Sequence, residues 1–409
     1  EAHMGIPHKF ASRGVTVIPL DFLELEPERS KRHMYWGMGK LLMKAARRVE
    51  KHPQLFGTYI TNFSCGPDSF VISYFRDIMG RKPSLTLELD SHTADAGLET
   101  RVEAFLDIVN AYRQLLAHRL IAPRRSAFTP ARTLFDDGRP RVMTSSGEAL
   151  PMTDPRVTVL IPSMGRLATE AAAAILKGYG LNARAGREND EAILKLGRAS
   201  TSCKECLPLI LTTGTLLSYI QNGKRADEVV VYFMPTGSGP CRFGQYYIFM
   251  EDLVRRLEIP NVALLALSSD NSYVGMDKNF ERHAWWAVIV SDVMEDIRSM
   301  LLANAVEPAS AMAAFDEEWR RILEVMEKAD FRLLTRRLAA CALPLGTIRG
   351  CPTSPPPTPA PPTTARPSPP TSPRPSTRSG RDDHALGKIG GSRDRTLQQA
   401  TTGRASQLL

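Results

Sequence analysis

The feature that most constrains the fold of this chain is a regular alternation of short, apolar, β-rich runs with longer segments of helical periodicity. The runs that predict strands lie at residues 15–20, 58–63, 84–89, 157–162, 228–234 and 261–267. The segments that predict helices lie at residues 35–52, 67–79, 98–120, 167–180, 243–257 and, for the most part, 278–340. Strands that alternate with helices usually build parallel sheets, so the predicted fold class is α/β with doubly wound parallel-sheet lobes.

Interruptions of this alternation divide the chain into four predicted parts. They are a first α/β lobe at residues 1–122, a basic linker at 123–155, a second α/β lobe with closing helices at 156–345, and a tail at 346–409. The tail is rich in Pro, Ser, Thr and Arg and cannot bury a core, so we expect it to be disordered. The sequence from Glu1 onward already has the pattern of the interior of an α/β unit, so the first lobe is expected to be truncated at its N-terminus.

The positive charge of the chain is concentrated in the tail. The formal net charge is +8, and residues 352–409 contribute +5 through 8 Lys or Arg against 3 Asp or Glu, which leaves +3 for the rest. So small a basic excess does not predict a nucleic-acid partner. No apolar run approaches the ~20 residues of a membrane span and no signal peptide is recognisable, so we predict no membrane contact and a cytoplasmic location.

Three of the six cysteines stand at turns that open predicted helices. Cys65 lies in YITNFSCGPDSF, Cys206 in SCKECLP and Cys241 in GSGPCRFGQY. At the C-terminal edge of a parallel sheet, free amides and the positive end of the following helix stabilise a thiolate, which is the form that binds metals. The cysteines of a cytoplasmic chain are expected to be reduced, so these three are metal ligands, nucleophilic or redox-active thiols, or small buried residues.

Cys203 and Cys206 form a Cys-x-x-Cys pair, a spacing found in both zinc sites and iron–sulfur sites. The sequence offers no second pair and no histidines at zinc spacing. This favours an iron–sulfur site over a structural zinc knuckle. Cys203 is a secondary ligand candidate beside Cys65, Cys206 and Cys241.

Polar residues near the predicted turns are candidates for other roles. Asp90 and His92 follow the predicted strand at 84–89, where they could form an acid–base pair or could cap the turn and bond locally. Arg242 and Gln245 follow Cys241, where they could contact a cofactor or substrate. The alternative for these two residues is a role in helix capping and surface charge.

Four segments, in one order, resemble a known family. They are TNFSCGPDSF, LELDSHTADAGLETRVEAFLD, LGRASTSCKECLPLILTTG and FMPTGSGPCRFGQY. Together they are similar to the C-terminal part of the CoA-substrate-specific enzyme activases, a region that is itself similar to the subunits of 2-hydroxyacyl-CoA dehydratases and benzoyl-CoA reductases. The resemblance covers about residues 1–340.

The resemblance implies an oxygen-sensitive protein of anaerobic metabolism that holds a 4Fe-4S cluster and takes part in low-potential electron transfer. Cys65, Cys206 and Cys241 match the cysteine motifs of the family and are the implied ligands, whereas Cys203 stands where the family has no expected cysteine. The implied partners are an actin/sugar-kinase-like ATPase activase and an acyl-CoA substrate, and a dimer is the implied assembly.

The chain also departs from this family. Full-length relatives begin with ATPase modules and an additional Cys-Pro motif, and neither occurs in this sequence. ATP is therefore expected to act only through a partner or a missing module. Two alternatives stay open: an acyl-CoA dehydratase or reductase subunit with its own substrate site, and a non-catalytic fragment that lacks a complete cluster.

Overall fold

The structure of the chain is a computed structural model. It describes residues 4–31, 33–90, 92–118, 120, 127–135, 140–237, 239, 241–266, 279–328 and 330–348. From residue 349 onward, the tail that we predict to be disordered lies outside the described residues. None of the helices in these ranges combines the length and the apolar composition that a membrane crossing requires.

The described chain is mixed α/β, as predicted. Its helices are α1 (Ile6–Ala11), α2 (Gly37–Lys51), α3 (Asp68–Met79), α4 (Asp95–Ala117), α5 (Arg166–Gly178), α6 (Glu191–Ser200), α7 (Leu207–Asn222), α8 (Tyr246–Arg256), α9 (Phe280–Asn304), α10 (Pro308–Glu327) and α11 (Phe331–Gly346). Its strands are β1 (Gly57–Thr61), β2 (Ser84–Glu88), β3 (Arg132–Leu134), β4 (Arg141–Met143), β5 (Ala149–Pro151), β6 (Val157–Ile161), β7 (Ala183–Ala185), β8 (Val229–Phe233) and β9 (Val262–Leu265). Short 3-10 turns lie at Leu20–Phe22 and Arg242–Gln245.

The second lobe is built on a four-stranded parallel sheet in the order β7-β6-β8-β9. Helices cover both faces, which explains why the central strands are apolar almost without interruption. Alternate residues of a strand therefore enter two different cores. On β8, Val229 and Val231 face one core, and Val230 and Tyr232 face the other.

The core on the first face of this four-stranded sheet joins the sheet to the C-terminal helices of the second lobe. It lies between the sheet and helices α5, α9, α10 and α11, with Phe315 and Trp319 fully buried within it. The indole N–H of Trp319 donates to Glu170 Oε2 at 2.6 Å, so the polar atom of this large side chain is paired. Cys341 is buried in the same core, as expected for a cysteine that only packs.

The core on the second face joins the two predicted lobes. It contains residues of α7 and α8 together with residues of α2 and α3, among them Met43 and Phe70. The ring of Phe70 stacks on Tyr246 of α8, with ring centroids 6.1 Å apart. The helices that precede the linker thus share a core with the helices that cover the sheet that follows it, a contact that the order of elements along the chain does not predict.

The first lobe has its own small sheet, in which β1 and β2 run parallel with Gly57 opposite Ser84. Helices α1 and α4 cover it through a third core. The rings of Phe10 and Phe105 meet edge to face in this core, 6.3 Å apart.

The strand predicted at residues 15–20 does not form a ladder. Residues 15–18 pair with no strand in the described chain and an isolated bridge lies at Pro19, although Val15 and Val17 pack against the third core. The N–H of Val15 donates to the carbonyl of Phe10 at 3.2 Å, so the run starts by bonding to α1 and not to a neighbouring strand. The run therefore covers a core without joining the sheet.

The segment predicted as a solvated basic linker contains a small antiparallel sheet in the order β3-β4-β5. Val142 and Leu150 are buried beneath it, and Thr133 donates to the carbonyl of Leu264 on β9 at 2.9 Å. The linker prediction is therefore corrected for residues 132–151. Each of these strands has three residues, too few for alternation to stand out against the surrounding arginines.

Candidate functional site

Cys65 lies in the turn between β1 and α3. Its carbonyl accepts the N–H of Asp68 at 3.3 Å. Phe63, Ser64 and Gly66 all have positive φ angles, of 55°, 53° and 59°. The left-handed region costs a non-glycine residue roughly 1–3 kcal/mol, and strain of this kind is concentrated at functional sites. The surrounding structure thus holds the Cys65 turn in one unusual shape.

Asp68, the first residue of α3, ties that helix to β1. Its carboxylate accepts hydrogen bonds from the hydroxyls of Tyr59 at 2.8 Å and Thr61 at 2.5 Å. Both donors belong to β1, so the strand and the helix are joined on either side of the turn. The position of Cys65 is therefore fixed relative to both elements.

Cys206 is the residue immediately before α7, and its carbonyl accepts the N–H of Leu209 at 3.0 Å. The buried carboxylate of Glu205 accepts the N–H of Ser202 at 3.1 Å, which closes the turn that also contains Cys203. Cys206 is half-buried against the second-face core, whereas Cys203 is exposed with a φ of 61°. The two cysteines of the Cys-x-x-Cys pair thus stand in different environments.

Cys241 is exposed and precedes the 3-10 turn at Arg242–Gln245 that leads into α8. The hydroxyl of Tyr35, from the segment before α2, donates to the carbonyl of Cys241. A methyl group at Gly244 would lie 2.0 Å from the carbonyl oxygen of Gly237. Only glycine allows the turn to pack this closely on the preceding loop.

A short chain of hydrogen bonds connects the Cys241 turn to the Cys65 turn. Arg242 Nη1 donates to the hydroxyl of Ser69 at 3.0 Å, and this hydroxyl donates to the carbonyl of Gly66 at 2.7 Å. Ser69 is buried at the start of α3. Arg242, the residue after Cys241, is therefore held against α3, the helix that follows Cys65.

Tyr246, the first residue of α8, lies near both the Cys206 and the Cys241 thiols. The pKa of Tyr246 is raised mainly by burial and, to a lesser extent, by the Cys206 thiol. The pKa of Tyr35 is raised to about 12, mainly by burial and, to a lesser extent, by Cys241. Both phenols therefore keep their protons at neutral pH and remain hydrogen-bond donors next to the cysteines.

Glu88 connects the Cys206 turn to the Cys65 turn. It accepts a hydrogen bond from the hydroxyl of Ser64 at 2.6 Å, and Lys204 Nζ lies 3.7 Å from the same oxygen. The Ser64 hydrogen bond is the main reason that the pKa of Glu88 is lowered, and Lys204 lowers it further. The Cys65 turn is therefore joined to each of the other two turns.

Gln245 lies behind Cys241 and is fully buried. Its Nε2 donates to the carbonyl of His33 at 3.3 Å, and its side chain lies beside Tyr35. Its Oε1 has no hydrogen-bond partner among the described residues. A buried acceptor without a donor costs about 1–3 kcal/mol, so the site retains a free acceptor next to Tyr35.

Asp90 and His92 occupy a separate turn after β2. Asp90 Oδ1 accepts the N–H of His92 and the hydroxyl of Thr93, both at 2.8 Å. The Thr93 hydroxyl, followed by the His92 N–H, lowers the pKa of Asp90. These contacts are those of a turn cap, and His92 is exposed. The capping interpretation accounts for Asp90 without an acid–base role.

The predicted ligands do not form a metal-binding group within the described ranges. There, no three His, Cys, Asp or Glu side chains are close enough together to hold a metal ion. Cys65, Cys206 and Cys241 are free thiols, of which Cys65 and Cys241 are exposed.

A cavity of about 230 Å³ lies away from the cysteines, in the first lobe. Helices α1 and α4, the start of β1 and residues 15–18 surround it, and Phe10, Phe56 and Phe105 are among its apolar lining. It contains none of the predicted site residues. The cysteine turns form a surface site instead.

Apart from Arg242, the side chains that join the turns were not predicted from the sequence. Ser69 and Tyr246 lie only a few residues beyond Cys65 and Cys241, so a wider reading of these motifs could have found them. Glu88 lies in one of the four segments that resemble the family, but nothing in its pattern indicates this contact, and Tyr35 lies outside those segments. Comparisons of the chain with models of known protein families, with curated proteins and with solved structures found no match.

Proposed function

We propose that this chain binds a 4Fe-4S cluster through Cys65, Cys206 and Cys241 and stores or relays a low-potential electron supplied by an ATP-dependent activase. The observation that carries the proposal is the linkage of the Cys65 turn to the other two cysteine-bearing turns. The Arg242–Ser69 hydrogen bond joins it to the Cys241 turn, and the contacts of Glu88 with Ser64 and Lys204 join it to the Cys206 turn. The resemblance to CoA enzyme activases and 2-hydroxyacyl-CoA dehydratase subunits supports the same assignment.

The helices that follow the cysteines support thiolate binding. α3 has 12 residues and α7 has 16, and each begins within three residues of its cysteine. The positive end of a helix favours a negative group at its N-terminus. Cys65 and Cys206 would therefore present their sulfurs near the positive ends of two helices, and Cys203 would be available as a further sulfur on the exposed side.

When bound, the cluster would supply one-electron chemistry at a potential that depends on local charge, on hydrogen bonds to sulfur and on exposure to water. The chain would set each of these conditions. Tyr246 would donate a hydrogen bond to the Cys206 sulfur, and Arg242 would place a positive charge beside Cys241. The second-face core would keep water away from the buried side of Cys206.

The partners follow from the same proposal. An actin/sugar-kinase-like ATPase would dock near the exposed Cys65 and Cys241 and deliver the electron, in the cytoplasm. Arg242 would then contact the cluster or an acyl-CoA substrate, whereas the fully buried Gln245 would reach either one only if the Cys241 turn opened. If the chain were itself a dehydratase or reductase subunit, it would bind CoA ligands and turn over an acyl-CoA after activation.

The experiment is anaerobic reconstitution of the full chain with iron and sulfide. Iron content, visible absorption and electron paramagnetic resonance after reduction are measured for the wild type and for the Cys65→Ala/Cys206→Ala/Cys241→Ala variant. The matched control is Cys341→Ala, which removes a cysteine that is buried in the first-face core. We expect iron uptake by the wild type and the control, and its loss in the triple variant.

Two outcomes would overturn the assignment. Equal iron uptake by the wild type and the triple variant would show that these cysteines do not hold a cluster, as in a non-catalytic fragment. Stoichiometric zinc that is lost in Cys203→Ala and Cys206→Ala would identify the Cys-x-x-Cys pair as a zinc site instead.

A further inference from the structure

Helix α9 carries an apolar stripe that nothing in the described part of the chain covers. One face of the helix is buried against α5 and α10, through residues such as Ala287 and Met294. On another face Trp285, Ile289 and Val293 are 65%, 44% and 50% exposed. They are spaced by four residues, so they form one line along the helix. An exposed apolar line that includes a tryptophan is typical of a protein–protein contact.

Two charges of opposite sign extend this line at its ends. Arg282 lies three residues before Trp285, and Asp296 lies three residues after Val293. Both side chains are exposed, and neither has an ion-pair partner within the described ranges. Ile289 is the midpoint, because 289 − 282 and 296 − 289 both equal 7. A positive charge therefore lies at one end of the line and a negative charge at the other, at equal distances from Ile289.

We infer that this face of α9 is the contact surface for a second copy of the same chain, related by a two-fold axis through Ile289 with the helices antiparallel. In such an isologous contact, residue i meets residue j and residue j meets residue i. Trp285 then meets Val293 of the partner subunit, and Arg282 meets Asp296 of the partner subunit. Each contact occurs twice, and every apolar residue of the line finds an apolar partner.

An axis at the neighbouring position gives less favourable side-chain contacts, which favours the axis through Ile289. If the axis moved by half a residue, Trp285 would meet the exposed carboxylate of Asp292 and Arg282 would meet Glu295. Glu295 already pairs with Arg298 at 2.8 Å. Only the axis through Ile289 pairs the two free charges and buries the indole on an aliphatic side chain. The inference uses α9 alone, so it does not depend on the iron–sulfur proposal.

The first test is the association state of the full chain, measured by sedimentation velocity over a wide concentration range. We expect a monomer–dimer equilibrium for the wild type. Ile289→Glu places two carboxylates against each other on the axis and should yield a monomer. Leu302→Glu is the matched control, because Leu302 is also exposed on α9 but lies off the line. Circular dichroism checks that both variants fold.

The second test exchanges the charges. Arg282→Glu alone and Asp296→Arg alone would each place like charges opposite one another twice, and should weaken the dimer roughly tenfold. The double variant Arg282→Glu/Asp296→Arg restores opposite charges and should recover the dimer. A wild type that is monomeric throughout, a dimer that persists in folded Ile289→Glu, or a double variant no tighter than either single one would each overturn the inference.

Discussion

Arg242 and Ser69 are joined by a hydrogen bond of 3.0 Å, although they lie in the two different lobes that the sequence predicts. Arg242 follows Cys241, and Ser69 opens the helix after Cys65. The bond therefore determines how the two cysteines are placed relative to each other. Ser69 is 2% exposed, so its end of this part-buried bond is shielded from water.

Arg242→Met should disturb the proposed cluster more than it disturbs the fold. The change removes one part-buried hydrogen bond, worth about 1 kcal/mol, and frees the Cys241 turn from α3. We expect a small fall in Tm together with reduced iron retention and an altered paramagnetic resonance spectrum. Arg255→Met, at the exposed far end of α8, is the control and should leave both unchanged. An unaltered spectrum in Arg242→Met would contradict the positioning role.

Tyr246→Phe tests the hydroxyl that lies beside Cys206. Loss of a hydrogen bond to a cluster sulfur lowers the reduction potential, because the bond favours the more negative reduced state. Redox titration of the reconstituted protein should therefore give a lower midpoint for Tyr246→Phe than for the wild type. Tyr247→Phe is the matched control, since its hydroxyl donates to Glu251 at 2.7 Å. If the midpoint potential shifted equally in Tyr246→Phe and Tyr247→Phe, a specific contact of Tyr246 with the Cys206 sulfur would be contradicted.

Gly197→Ala and Gly214→Ala should both destabilise the protein, although alanine is the better helix former. A methyl group at Gly197 would lie 1.9 Å from the carbonyl oxygen of Ile210, and one at Gly214 would lie 2.0 Å from that of Ile193. These reciprocal contacts allow α6 and α7 to pack closely, and overpacking costs about 3 kcal/mol.

Urea denaturation measures this effect. Gly97→Ala is the control: a methyl group there meets no atom within 4 Å, so the change should stabilise helix α4 by about 0.5–1 kcal/mol. A stability gain in Gly197→Ala or Gly214→Ala would contradict the packing argument. Because the turn with Cys203 and Cys206 joins α6 to α7, both variants should also lose iron.

Glu228 should make stability depend on pH in the acid range. Burial alone would raise its pKa, but hydrogen bonds from Thr158 at 2.5 Å, from the Arg225 N–H at 3.0 Å and from Tyr219 at 2.9 Å outweigh burial and lower it. A lowered pKa contributes stability that is present above the unfolded value of about 4.3 and is lost as the pH falls through the folded value.

Glu228→Gln removes this contribution. We expect the variant to be about 1–2 kcal/mol less stable than the wild type at pH 7, and the difference to shrink below about pH 4. Urea denaturation at the two pH values measures it. Asp227→Asn, at an exposed neighbouring carboxylate, should have little effect at either pH. A difference that stays constant with pH would mean that protonation of Glu228 is not linked to folding.

Local pattern explains what could be predicted of the fold. The strands β1, β2, β6, β8 and β9 are apolar runs that their own residues define, and the turns at Cys65, Cys206 and Cys241 follow from nearby Gly and Pro. The run at residues 15–20 was predicted wrongly, because whether a short apolar segment pairs depends on what lies beside it. The sheet at residues 132–151 was missed since its strands are too short to show a period.

Periodicity and turn chemistry act over a few residues, which is why they were enough to predict the α/β class and the turns at Cys65, Cys206 and Cys241. Long-range packing placed α2 and α3 in one core with α7 and α8, brought Arg242 to Ser69 and placed Tyr246 beside Cys206. Such contacts join residues far apart in the chain, and they depend on strand order and on how side chains fill a shared core. No short-range pattern carries that information, which is why the links between the cysteine turns became visible only in the folded chain.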